Sequence, residues 1–225
     1  SHWPFMSLIA HILWGYLVSL PFGFSYTLLR CSVALLGLAG LWALYALLLE
    51  TGRDRRTAWL GTAVLACNPF YFHLACTFMT DVPFVAFSLW ACLLFARALR
   101  HESRAALAGG ILLASVATLI RQVGVTLPVA FALAYLYKHR LHWRALARGG
   151  LAVALVFGAL AAYETWLKLS DKLPMYYRSS EGTLLATLKG DLGVWLPTTL
   201  DTTAACLVYL GLFLLPALLA FWPRR

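Results

Sequence analysis

The feature that most restricts this chain is the length of its apolar runs. Tyr26 to Glu50, Thr57 to Phe78, Val82 to Arg100 and Ala145 to Leu167 each carry few charges. Each is close to the ~20 helical residues that cross a hydrocarbon core. Lipid offers the backbone no hydrogen-bond partners, so such runs must pair their own amides and carbonyls as helices. Only 12% of the residues are charged and 62% are hydrophobic, with mean hydropathy +0.78. A soluble domain carries about 25% charged residues, so a soluble fold is excluded. The expected fold is all-α, a polytopic transmembrane helical bundle forming one domain over residues 1–225.

Taken in order, Ser1 to Ser25 is aromatic and broken by Pro4, Gly15, Pro21 and Gly23, which suits an interfacial helix over Pro4 to Leu20. Tyr26 to Glu50 is the first firm span, and the second, Thr57 to Phe78, is broken or kinked at Pro69. Val82 to Arg100 is the third. Ala105 to Tyr137 is too long for one crossing and is punctuated by Arg121, Gln122, Gly124 and Pro128, which divides it into two spans meeting near Arg121. Ala145 to Leu167 and Asp201 to Trp222 complete about seven spans, with a polar loop over residues 168–200 between them.

The charges orient this bundle. With the loops around Arg53, Arg97, Arg104, Lys138 and Arg224 on the cytoplasmic side, that side holds twelve of the 18 basic residues and three of the nine acids. The other side holds six of each, as the bias of Lys and Arg toward the cytoplasm requires. The net charge of +9 is thereby explained without nucleic acid. The segment 1–25, the turn at Asp81, the turn at Arg121 and the loop 168–200 then share the non-cytoplasmic face.

Asp81 lies in NPFYFHLACTFMTDVP, Asn68 to Pro83, between two apolar runs. An ionised carboxylate at membrane depth costs about 2.5–3.5 kcal/mol on insertion scales, which marks it for function. It also stands where a helix N-cap followed by an early proline would stand, so capping is the competing role. Arg121, with Gln122 beside it, can clamp a phosphate through two parallel hydrogen bonds, or can make a structural ion pair with Asp81. Arg30, one turn into the first span, is a second phosphate candidate whose alternative is snorkelling to headgroups. His2 and His73 share this face, without the second ligand at metal spacing that would assign a metal site. The outer loop adds Asp171, Lys172, Tyr176, Tyr177 and Arg178, a grip for sugar or phosphate or an ordinary solvated cluster. Five cysteines show no paired spacing and suit small buried hydrophobes. The pairs Gly37 and Gly40, and Gly109 and Gly110, suit close helix packing.

PFMSLIAHILWG, YTLLRCSVALLGLAGLWALY with Arg30, FMTDVPF and LASVATLIRQVGVTLPVAF, in that order and spacing, resemble the first half of a family 39-type glycosyltransferase. This is the polytopic GT-C group that includes protein O-mannosyltransferases, the lipid A aminoarabinose transferase and Rgt-like bacterial sugar transferases. The resemblance covers roughly Ser1 to Phe131. It implies transfer of a sugar from a polyprenyl-phosphate carrier to a lipid, glycan or protein acceptor outside the cytoplasm. It also implies an acidic residue at Asp81, a phosphate-facing basic residue at Arg121, a further arginine at Arg30, and a His-Pro region at His2. In that group the principal acid, proposed as general base, lies upstream of the His-Pro region, so this chain is expected to lack its base and first span and to be inactive alone. A multi-pass protein of the bacterial inner membrane is expected, with its site facing the periplasm or exterior. No cofactor is assigned and a divalent cation is left open. A transporter or lipid flippase is the alternative, since Pro- and Gly-broken spans also line permeation paths.

Overall fold

The computed structural model describes residues 9–139, 143–170, 200, 201, 203–205, 207 and 208. The chain divides into two compact units, Phe5–Asp171 in one and Ser1–Pro4 with Lys172–Arg225 in the other. In the second unit the described residues, all between Leu200 and Val208, are helical. The expected crossing at residues 201–222 and the loop at 168–200 otherwise lie outside the described residues.

The first unit is built from eight helices among its described residues, with no strand. They are α1 (Ile9–Phe22), α2 (Tyr26–Glu50), α3 (Arg55–Ala66), α4 (Pro69–Ala75), α5 (Asp81–His101), α6 (Arg104–Thr118), α7 (Thr126–His139) and α8 (Trp143–Leu169). Among the described residues, three helices are long and apolar enough to cross a membrane: α2, α5 and α8 from Leu146 onward. The chain is an integral membrane protein. The other described runs read as crossings, 57–78 and 105–137, are divided into shorter helices, each for a local reason.

Asn68 stops the run that began at Arg55. Its side chain accepts from the amides of Phe70 and Tyr71, at 3.0 and 3.1 Å, and Pro69 occupies the first turn of α4, where a missing N–H costs nothing. Residues 105–137 divide as expected: α6 ends at Thr118, a 3-10 turn covers Gln122–Val125, and α7 begins at Thr126. With 15 and 14 residues, α6 and α7 are each shorter than a full crossing.

Two apolar clusters hold the helices. Ala91, Phe95 and Ala98 of α5 meet Ala114 of α6, Phe131 and Tyr135 of α7, and Ala152 and Val156 of α8. Val33 of α2, Tyr71 of α4 and Val82 of α5 form the other. In lipid, where apolar side chains gain nothing by leaving water, close packing and buried hydrogen bonds must draw helices together. The small residues serve this role as expected. A Cβ added at Gly40 would sit 3.0 Å from the Ala86 backbone, and one at Gly110 would sit 2.6 Å from the Phe95 ring. Tyr71 donates to the Gly37 carbonyl at 2.8 Å and the Trp90 indole to that of Ala39 at 3.1 Å, pinning α4 and α5 to α2.

The cysteines correct one expectation. Cys31, Cys67 and Cys76 are exposed on the outside of the bundle and Cys92 is half-buried. A thiol is apolar enough to face lipid without penalty, so burial is not required of it.

At the Glu50 end of the bundle, charges are paired. Glu50 meets Arg97 at 3.3 Å, His101 at 3.1 Å and Arg100 at 3.8 Å, while Glu102 meets Arg148 at 3.1 Å and His139 at 3.4 Å. These are the residues that the charge pattern places on one side of the membrane.

Candidate functional site

At the other end of α5, the helix opens at Asp81, and the cap position belongs to Thr80, which makes no side-chain cap bond. Asp81 is therefore not an N-cap. Its carboxylate is taken instead by Arg121, whose Nη2 lies 2.8 Å from Oδ1. The anion still stands in the first turn of α5, where the helix dipole favours it. Arg121 Nε also donates to Thr80 Oγ1 at 3.2 Å. Two residues forty positions apart in sequence thus meet at one end of the bundle.

The approach of Arg121 is set by the turn that carries it. Arg121 is extended, at φ −145° and ψ 129°, between the end of α6 and the 3-10 turn. Gly124 accepts no alternative there: a Cβ would lie 2.6 Å from the Thr118 amide nitrogen. Its own amide donates back to the Arg121 carbonyl at 2.9 Å. A glycine thus lets the turn fold flat against the last residue of α6 and aim the guanidinium at Thr80 and Asp81.

Two residues to which the sequence reading gave no role also gather at this end. Glu164 of α8 faces Gln122, with Oε1 3.5 Å from Nε2. The signal was present, because Glu164 interrupts the otherwise apolar outer half of its run. His11 of α1 is buried and stacks on Phe78 with ring centroids 4.2 Å apart. The Ala10 amide donates to the Leu119 carbonyl at 3.1 Å, holding α1 against the end of α6. His11 and Gly15, four apart and both buried, mark the packed face of α1.

The remaining expected site residues are placed differently. Arg30, in the second turn of α2, is exposed and makes no ion pair among the described residues. His73 is exposed in the last turn of α4. His2 and Arg178 lie outside the described residues. Among the described residues, no group of three His, Cys, Asp or Glu side chains stands together as a metal ion would need.

The arrangement offers a guanidinium that is held but not consumed. Arg121 spends two of its N–H groups on Thr80 and Asp81 while 42% of its side chain stays exposed, and Asp81 keeps 34%. Ion pairs so open to solvent contribute ~0.2–1 kcal/mol. A phosphate could displace the carboxylate at little cost and gain two charge-assisted bonds in return.

The sequence pattern of the family described as dolichyl-phosphate-mannose-protein mannosyltransferase matches residues 8–167, which include Asp81, Arg121, Gln122, Glu164 and His11. No curated protein and no solved structure matches the chain. The transporter reading finds no support in the family match.

Proposed function

The chain belongs to the dolichyl-phosphate-mannose-protein mannosyltransferase family, a membrane glycosyltransferase group of GT-C type, and on that premise we propose that the Asp81–Arg121 end of the bundle is its donor site. The donor is a sugar linked to a polyprenyl phosphate, and the acceptor is a hydroxyl of a lipid, glycan or protein on the non-cytoplasmic face. The membrane is the bacterial inner membrane. The observation that carries this reading is the 2.8 Å approach of a partly exposed guanidinium to a carboxylate at the ends of two helices.

In the reaction, the acceptor oxygen forms a bond to the anomeric carbon. The bond from that carbon to the phosphate oxygen breaks, its electron pair leaves with the polyprenyl phosphate, and the hydroxyl proton passes to a general base. Arg121 moves from Asp81 onto the phosphate and stabilises the charge gathering there, with Gln122 as a neutral donor beside it and Arg30 or Arg178 assisting. Asp81, released, accepts a hydrogen bond from the acceptor hydroxyl and orients it. The proposed role of His2 is, with that of Asp81, in handling the acceptor. The hydrocarbon boundary holds the carrier's tail, and the bound headgroup, by excluding water, lowers the local dielectric and strengthens the contact between arginine and phosphate.

The test uses membrane vesicles carrying the full-length protein and a polyprenyl-phosphate donor with a radiolabelled sugar. Label should become covalently attached to an acceptor, with free polyprenyl phosphate as the second product. Passage of intact donor across the membrane with no new glycosidic bond would instead assign the chain to transport.

A further inference from the structure

Along α6 and α8, starting at the end away from the Asp81–Arg121 pair, runs an open groove of about 670 Å³, within the range of small-ligand sites. Arg104 and Arg148 stand at its mouth, and its wall includes Leu107, Ile111, Leu112 and Leu155. We propose that this groove holds an anionic glycerophospholipid of the adjoining leaflet, with its phosphate between the two arginines and an acyl chain along the wall.

Charge argues for the headgroup. Arg148 is engaged with Glu102 at 3.1 Å and with the Tyr135 hydroxyl at 2.7 Å. Arg104 is exposed and makes no ion pair among the described residues. Glu102, the acid beside the mouth, is already engaged by Arg148. Among the described residues lining the groove and its mouth, two guanidinium groups stand against the one carboxylate of Glu102, which leaves Arg104 to meet a phosphodiester anion, and a planar guanidinium binds phosphate in two-pronged fashion. Basic pockets between helix ends are a known chemistry for anionic headgroups.

Depth argues for the tail. From Arg104 to Ser115, the deepest lining residue on α6, the helix rises about 16 Å. That is close to half of a hydrocarbon core of about 30 Å, the reach of one leaflet's acyl chain. A ligand spanning both leaflets would overrun the groove. Ser115 adds no polar demand at the bottom, because its hydroxyl donates to the Ile111 carbonyl at 2.9 Å.

The experiment presents the purified protein with phosphatidylglycerol, phosphatidylcholine or polyprenyl phosphate and counts retained lipids by native mass spectrometry. The wild type should retain one phosphatidylglycerol in preference to phosphatidylcholine. Arg104→Gln should reduce that preference about fivefold, the worth of one basic residue near an anionic headgroup. Ala108→Trp, from an exposed position on the lining, should fill the groove and lose the lipid whatever its headgroup, with thermal stability unchanged. Equal retention of the two phospholipids, wild-type retention by both variants, or retention of polyprenyl phosphate alone would each overturn the proposal. So would a disulfide between Leu112→Cys and Cys206, which would show the chain's own apolar run in the groove.

Discussion

Replacing Arg121 by Ala separates a functional guanidinium from a structural pin, because the two roles predict different sizes of effect. The ion pair to Asp81 joins side chains 42% and 34% exposed, and exposed pairs contribute ~0.2–1 kcal/mol. The bond to Thr80 adds about 0.5–1.5 kcal/mol at most. Stability should therefore fall by roughly 1–2 kcal/mol, and at about 2–4 °C per kcal/mol for a chain of this size the melting temperature drops by several degrees. Transfer should fall much further. Losing one donor aimed at charge that develops in the transition state costs about 10²–10³ in kcat, or ~2.7–4 kcal/mol. Asp81→Asn should leave donor KM unchanged or lower, since Arg121 is then free for phosphate, while turnover falls through the acceptor. A double-mutant cycle on unfolding should give a coupling no larger than about 1 kcal/mol. The assay is single-turnover sugar transfer, normalised to folded protein and run beside a thermal melt. Wild-type turnover per folded Arg121→Ala molecule would refute the reasoning, and so would a loss of activity that merely tracked a loss of folded protein.

Further outcomes follow from the packing and the caps. Gly40→Val should destabilise the bundle by about 1–3 kcal/mol, because the Ala86 backbone at 3.0 Å cannot yield as a side chain can. A melting temperature equal to wild type would contradict it. Tyr71→Phe keeps the ring in the cluster but removes its bond to the Gly37 carbonyl, and should cost about 0.5–1.5 kcal/mol in thermal unfolding. At the N-terminus of α3, the Asp54 carboxyl lies below its ordinary range, held there chiefly by the Thr57 hydroxyl and then by the Thr57 and Arg56 amides. A depressed folded-state pKa means that this contribution is complete above the unfolded value and is lost as pH falls through the folded one. Amide-exchange protection of Arg56 and Thr57, corrected for intrinsic rate, should therefore decline at acid pH in the wild type. It should not decline in the same way in Asp54→Asn.

Where sequence predicted the structure well, the cause was local. Asn68-Pro69 carries both a cap side chain and a residue that tolerates the first turn, so the break in the second run needed no tertiary information. Arg121, Gln122 and Gly124 together punctuate a run too long for one crossing, and the helices divide there. The meeting of Asp81 and Arg121 could be raised as a pairing but not chosen over an N-cap, because capping depends on which group competes for the carboxylate. That competitor arrives from forty residues away. Exposure of Cys31, Cys67 and Cys76 was illegible for a related reason. In a bundle surrounded by lipid, inward and outward faces are both apolar, so hydropathy loses the contrast that marks a core in water. Small residues kept their meaning, since Gly40 and Gly110 report closeness of approach and not solvent.

The absent side chain at Gly124 has a consequence for how this end of the protein tolerates change. The guanidinium is steered by a fold in the backbone three residues downstream, so a single methyl added there would swing Arg121 off its target with every charge intact. Activity at this end should accordingly be vulnerable to a substitution that charge-based scanning would pass over as silent.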